Sequence, residues 1–250
     1  MILVIASVGF LAGLGIGISE GMDSGGIMLS GFVPAASVFL AWALGREIYP
    51  EEEISALIAA TFFLIAFPLL PRPDVITLLW VLLVLRILNR TAGSPANLAD
   101  LSLVFLLTLW PLWQGNAVAG LITAGALIVD GLLGDPGSRR FSIAMAIIIV
   151  TVIMAFLTEK ILIFTPPFSL SVTALGAASL LFLPVIMSST RARGDSGKTL
   201  STVRVRAGQL AALATALTLA LTDIYMILPL WFAIAAAGGS HLWHFVARGL

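Results

Sequence analysis

Long apolar runs, broken by short polar and Gly- or Pro-containing punctuation, cover this chain from end to end. Ten runs can be marked, roughly 1–18, 27–45, 54–70, 74–88, 100–113, 116–133, 141–163, 168–187, 207–222 and 225–245. A helix needs about 20 mostly apolar residues to cross the hydrocarbon core of a bilayer. Most runs approach that length. Several are short, the fifth and ninth above all; as tilted half-spans or tight hairpins they would lower the count to eight or nine. The pattern predicts an all-α fold: a polytopic integral membrane helix bundle of about ten transmembrane helices in tight hairpins. Residues 1–250 form a single transmembrane domain in this reading, and residues 188–206 form its short basic loop.

The basic residues test the count. The connections after even-numbered runs, with the chain ends, hold Arg46, Arg86, Arg90, Arg139, Arg140, Arg191, Arg193, Lys198, Arg204, Arg206 and Arg248. The odd-numbered connections hold only Arg72 and Lys160 of the 13 Lys and Arg residues. Cations in short loops favour the cytoplasmic side, so both termini are expected in the cytoplasm. A miscounted run would scramble this parity, unless two errors compensated. The opposite turns, "PLLPRPD", "WPLWQGN", "FTPPFS" and "MILPLW", each contain Pro, which stops a helix and presets a turn. Trp110, Trp113, Phe164, Phe168 and Trp231 lie at the same level along the runs, as an interfacial aromatic belt does.

Composition agrees with lipid as the solvent. Some 60% of residues are apolar and 10% charged, against about 25% charged in soluble domains, and the mean hydropathy is +1.10. The first run has no basic residues before it and no small-residue cleavage pattern before "SEGMDSGG", so it reads as a retained membrane helix. The expected location is a prokaryotic plasma (inner) membrane, crossed many times. Without cysteine there is no disulfide framework, thiolate metal site or iron–sulfur cluster. A net charge of zero gives no reason to expect nucleic acid.

"ARGDSGKT", Ala192 to Thr199, matches the loose form of a phosphate-binding loop. A working loop of that kind joins a strand to a helix in an α/β domain. Here about 20 residues separate two apolar runs, with no room for a sheet. The stretch is read as a basic membrane-surface loop whose cations attract anionic lipid head groups, and no nucleotide is expected.

Ionisable residues near or within spans are the candidates for chemistry. Asp130, in "ALIVDGLLGDP", is a proton acceptor or cation ligand in one reading. In the other it reaches the interface beside Asp135, or pairs with Arg139 or Arg140. Glu20 and Asp23, three residues apart, would share a face on one helical turn and offer oxygen ligands to a hard cation; otherwise they form a solvated acidic loop. Arg86 and Arg90, four apart, would share a helix face open to an anionic head group or to an acidic stretch such as 47–53. Glu51 to Glu53 suit the dipole of a helix start. Asp223 reads as a turn or cap residue, and Glu159 and Lys160 as groups reaching water at a helix end. His241 and His244 have ligand spacing but no evident third ligand. "DPGSRRFS", Asp135 to Ser142, resembles over a few residues the Pro-Gly-x-Ser-Arg-Ser signature of undecaprenyl-diphosphate phosphatases. Its spacing is one residue short, Arg stands where the Ser should be, and the Glu-rich companion motif is missing, so no family is assigned.

No catalytic constellation, cofactor site or metal site emerges. The expected function is that of a non-catalytic membrane protein, a structural or accessory subunit with other membrane subunits as partners. The alternatives are a transporter of a small neutral or amphipathic solute, favoured by the Gly-rich first, sixth and tenth runs, and, third, a lipid-modifying membrane enzyme.

Overall fold

The structure is a computed structural model that describes residues 1–91, 93–134, 138–158, 170–188, 197 and 199–249. It is all-helical, with ten α-helices and no strand among the described residues. These are α1 (Ile2–Ser19), α2 (Ser24–Ile48), α3 (Glu53–Ala66), α4 (Val75–Asn89), α5 (Leu98–Trp113), α6 (Ala117–Leu132), α7 (Ser138–Thr158), α8 (Leu170–Met187), α9 (Thr202–Asp223) and α10 (Leu228–Gly249). Short 3₁₀ turns follow α3 (Phe67–Leu69) and precede α10 (Ile224–Ile227).

The helix starts are chemically marked. Backbone N–H groups of a first turn lack intrahelical acceptors, and a side-chain oxygen can supply one. Asp23 accepts from the Gly26 N–H at the start of α2, and Asp74 accepts from Ile76 and Thr77 at the start of α4. Asn97 and Asp100 form a reciprocal capping box that starts α5. Asp223 caps the 3₁₀ turn before α10, the cap role its sequence context suggested.

Helix α4 is the centre of the bundle. It packs against α2, α5, α6 and α9, and Leu78, Trp80, Val81, Val84, Leu85 and Leu88 are buried. The Trp80 N–H donates to Thr123 Oγ1 at 2.9 Å, and Thr123 also hydrogen-bonds Thr108, so the polar atoms of the mid-bundle core serve one another. The outer helices approach through glycine. Gly9, Gly13 and Gly17 of α1 are buried against α2, where the Ser30 hydroxyl donates to the Gly13 carbonyl at 2.9 Å. A Cβ at Gly120 of α6 would collide with Thr151 of α7, and one at Gly238 of α10 would lie 2.9 Å from the Leu181 carbonyl of α8. Some glycines of the first, sixth and tenth runs thus serve close helix packing, whereas Gly15, Gly125 and Gly239 face open space.

Connections gather at two ends. The residues around α2–α3, α4–α5, α6–α7 and α8–α9 meet at one end, where Glu47 pairs with Arg86 and Asp130 with Arg90, Arg140 and Arg204. His244 near the end of α10 reaches Glu52 at that same end. At the other end Asp74, before α4, contacts Trp110 in the last turn of α5, Gln114 after it, and the Met226 carbonyl of the turn before α10. Among the described residues, the connections α2–α3, α4–α5, α6–α7 and α8–α9 thus share one end, and α3–α4, α5–α6 and α9–α10 share the other.

Several expectations change. Among the described residues, four segments are long and apolar enough to cross a membrane: Ile2–Ser19, Ser24–Ile48, Arg139–Thr158 and Ile224–Ala247. Five others are apolar but shorter, among them Val75–Asn89 and Ala117–Leu132; the runs that carry these two are themselves short, and Asp74 caps the first of them with its side chain. The expected loop over 188–206 is cut short by α9, which starts at Thr202; its first turn carries Arg204, whose charge masked the helix in a hydropathy reading. Pro111 does not end α5, which continues to Trp113. Trp231 is buried in the core instead of lying in a belt, whereas Trp113 is exposed. Asp135, Glu159, Lys160, Phe164, Phe168 and most of "ARGDSGKT" lie outside the described residues.

Candidate functional site

Asp130 is the focus of the polar end. It lies near the C-terminus of α6 and is fully buried. Three arginines from three separate connections reach it. Arg90, directly after α4, places Nε 2.9 Å from Oδ1. Arg204, in the first turn of α9, places Nη1 2.6 Å from the same oxygen and also donates to the Leu88 carbonyl at 3.2 Å. Arg140, in the first turn of α7, places Nε 2.8 Å from Oδ2, an ion-pair contact without the alignment of a hydrogen bond. Of the two sequence alternatives for its partner, Arg140 takes the place and Arg139 faces outward.

The local backbone is built around Arg90. It caps α4 with φ 53° and ψ 40°, the left-handed conformation that glycine adopts most easily, and it is the one non-glycine residue with positive φ among those described. Gly134 leaves room for its guanidinium, since a Cβ there would collide with Arg90 Nη2. Nη2 of Arg90 and Nη2 of Arg204 are buried without a hydrogen-bond partner among the described residues. Three guanidinium charges meet one carboxylate.

A second buried carboxylate lies beside this cluster. Glu47 accepts from Arg86 Nε at 3.1 Å, Asn89 Nδ2 at 3.1 Å and the Thr91 hydroxyl at 2.8 Å. The same end satisfies helix C-terminal carbonyls with side chains. Asn89 donates to the Glu47 carbonyl and Gln209 to the Ile48 carbonyl, both at the end of α2. Arg206 donates to the Met187 and Ser188 carbonyls at the end of α8. Cations at C-termini also meet the negative end of the helix dipole.

The other sequence candidates separate. Arg86 and Arg90 do not work as one face: the left-handed turn at Arg90 sends one to Glu47 and the other to Asp130. The expected acidic partner in 47–53 is found, in the form of Glu47. Glu20 and Asp23 do not share a helical turn. Glu20 follows the last turn of α1, and Asp23 caps α2 across the intervening turn; both are exposed. No group of three His, Cys, Asp or Glu side chains suited to a metal ion exists among the described residues. His244 lies 2.7 Å from Glu52, and His241 packs its ring edge against Tyr49.

At the opposite end Asp74 is a second polar node. Its Oδ2 accepts from Trp110 Nε1 at 2.7 Å, Thr77 Oγ1 at 2.8 Å and Gln114 Nε2 at 2.9 Å. Burial alone would raise its carboxyl above the ordinary value, but these bonds outweigh it and hold the group below 3.8. Next to it lies a cavity of ≈ 210 Å³ lined by Thr77, Gln114, Asn116, Leu219, Asp223 and Met226.

Sequence reasoning missed Glu47 as a buried group, Arg204 as a partner of Asp130, the bond from Asn89 to Glu47, and Asp74 and Gln209 altogether. The signal for Asp74 was present, an acidic residue between Pro73 and an apolar run, which is a cap position. The cluster around Asp130 needed three connections to meet, which no local pattern records. Chemically the two ends differ: one concentrates guanidinium groups around carboxylates, and the other surrounds a carboxylate with neutral donors. Neither brings a nucleophile and a base together among the described residues. The chain matches no family model, no curated protein and no solved structure.

Proposed function

We propose that the chain is a polytopic membrane bundle, with its basic end and both termini in the cytoplasm, and that it serves as a non-catalytic accessory subunit of a larger membrane complex. All ten helices cross the bilayer in this reading. Helix α4, with 15 residues, is about 23 Å long, short of the ~30 Å hydrocarbon core. It is enclosed by other helices and need not match lipid. The shorter outer helices α3, α5 and α6 meet a locally thinned bilayer, at a cost of fractions of a kcal/mol per Å.

The observation that carries the subunit reading is the bareness of α1 and α7. Both are long and apolar enough to span, yet only 17% of either apolar window is buried. On α1 the uncovered face includes Leu11, Ala12, Gly15 and Ile18, with open space beside Gly15. Small residues on an uncovered face let a second helix approach more closely than lipid contact requires. The charged groups of the interior, by contrast, are engaged with one another and with helix ends.

A second reading, a carrier for a small neutral solute, is favoured by the cavity beside Asp74. That cavity lies at one end of the bundle instead of halfway along it, so the carrier reading is placed second. Photo-crosslinking in intact membranes from Leu11 and Phe156, both exposed on the bare faces, separates the two. The subunit reading expects a discrete protein adduct of fixed mass from at least one position. Lipid adducts alone from both would overturn it.

A further inference from the structure

We propose that the cavity beside Asp74 is a binding site for a small organic ammonium ion, a primary amine on a short apolar stem. The first ground is space. The cavity measures ≈ 210 Å³ and lies between the starts of α4 and α6 and the ends of α5 and α9. A cavity of about 150 Å³ admits benzene, and drug-sized ligands fill about 300–1,000 Å³. A molecule of roughly five to ten non-hydrogen atoms suits a space between these limits.

The second ground is an unused buried amide. Asn116 lines the cavity and is only 8% exposed. It stands at the N-cap of α6, where asparagine ordinarily accepts a first-turn N–H, yet its side chain makes no cap bond. Its backbone is engaged instead, donating to the Pro111 carbonyl and accepting from the Ala119 N–H. The side-chain amide has no hydrogen-bond partner among the described residues. A buried polar group left in that state is costly, and a ligand in the cavity supplies the partner.

The third ground is the kind of polar atom presented. Thr77 Oγ1 donates to Asp74 Oδ2 at 2.8 Å, and Gln114 Nε2 donates to the same oxygen at 2.9 Å. Asp74 thereby draws the donors of two lining residues to itself and leaves their oxygens as acceptors. Asp223, at the exposed rim, gives one oxygen to the Tyr225 N–H at 2.8 Å; the other has no partner among the described residues. An ammonium group carries three donors and no acceptor, so it matches a wall rich in acceptors, and Asp223 and Asp74 supply its counter-charge. The starts of α4 and α6 bring positive helix poles and the ends of α5 and α9 negative ones, which offset each other. Arg72, two positions before Asp74, is exposed and is not part of the lining. Pro111, Leu219 and Met226 complete the wall; their apolar surface suits a hydrocarbon stem and not a hydrated metal ion. The site rests on neither the subunit reading nor the membrane orientation.

The test uses the full chain in a neutral detergent at neutral pH, with n-butylammonium as the probe, 1-butanol as its uncharged counterpart, and sodium and calcium ions as inorganic competitors. Isothermal titration calorimetry reads binding. n-Butylammonium is expected to bind at least about tenfold more tightly than 1-butanol. Asp223→Asn keeps an oxygen for the cap and removes the charge; it should weaken n-butylammonium by about tenfold. Glu20→Gln removes an equal charge from an exposed position away from the cavity and should leave binding unchanged. Independently of any variant, saturating n-butylammonium should slow peroxide oxidation of half-buried Met226 in the unaltered protein, while exposed Met28 oxidises as before, read by peptide mass spectrometry. No saturable binding of the amine, equal affinity for 1-butanol, a preference for sodium or calcium, or unchanged Met226 oxidation at saturating amine overturns the proposal.

Discussion

Asp74 shows how much one side chain does at the end of an element. Its Oδ1 caps α4, and its Oδ2 draws three donors from the start of α4 and the end of α5. The folded carboxyl keeps its charge to lower pH than the unfolded one, because its value lies below the ordinary 3.8. Its stabilisation is therefore complete above that ordinary value and is lost as pH falls through the depressed folded value. Asp74→Asn retains the cap oxygen but turns an amide N–H₂ toward the indole and amide donors of Trp110 and Gln114. We expect a loss of about 1–2 kcal/mol at neutral pH. The difference from the unaltered protein should shrink on acidification from about pH 5 to about pH 3. Thermal unfolding in detergent across that range measures it, and a difference independent of pH would show that the charge is not what stabilises this turn. At the same scale, the reading of single residues from sequence succeeded where the partner was near. Asp130 and Arg140 are ten positions apart and their pairing was legible. Arg204 reaches Asp130 across 74 positions, and only the packing of α4, α6 and α9 brings it there.

Elements were more legible than contacts, because each apolar run carries its own evidence. The runs at 74–88 and 116–133 became α4 (Val75–Asn89) and α6 (Ala117–Leu132). Charged first turns were not legible: α9 begins at Thr202 because Arg204 and Arg206 find acceptors at helix ends, which a hydropathy pattern cannot register. The same limit hid the purpose of the glycines. In α1, Gly13 and Gly15 look equivalent in sequence, yet they face opposite ways. A Cβ on Gly13 would collide with the Ser30 carbonyl, whereas nothing lies within 4 Å of one on Gly15. Gly13→Ala should therefore force α1 away from α2, at a cost of about 1–3 kcal/mol. Gly15→Ala should be neutral or stabilising by up to about 1 kcal/mol through helix propensity. Denaturant titrations in detergent micelles distinguish the two, and equal effects would mean that α1 is not held by the glycine seam.

At the scale of the whole molecule, the decisive feature is the sorting of polar groups to two ends. Glu47, Asp130 and their arginines lie at one end, and Asp74 with its neutral donors at the other. Between them, α4 and α6 run in parallel from the Asp74 end to the Asp130 end, and α9 runs the opposite way, from Arg204 to Asp223. Among the described residues four helices are long and apolar enough to cross a membrane, so length by itself would assign some of these helices to a non-spanning role. A helix that starts at one polar end and finishes at the other runs the length of the bundle, and its crossing of lipid is then a matter for measurement. The chain lacks cysteine, which makes the question directly measurable. Single cysteines at Glu51 and Arg139 should react with an impermeant maleimide from the cytoplasmic side, and those at Arg72 and Asp223 from the opposite side; all four positions are exposed. Arg72 and Asp223 are the informative pair. They flank the short helix α4 and the charged helix α9, and a common side distinct from that of Glu51 and Arg139 requires α3 to cross, with an odd number of crossings among α4–α6 and among α7–α9. Labelling of Arg72 and Arg139 from one side would show that the short helices turn back within the bilayer, and the alternating bundle would then have to be replaced by one resting on its four long helices.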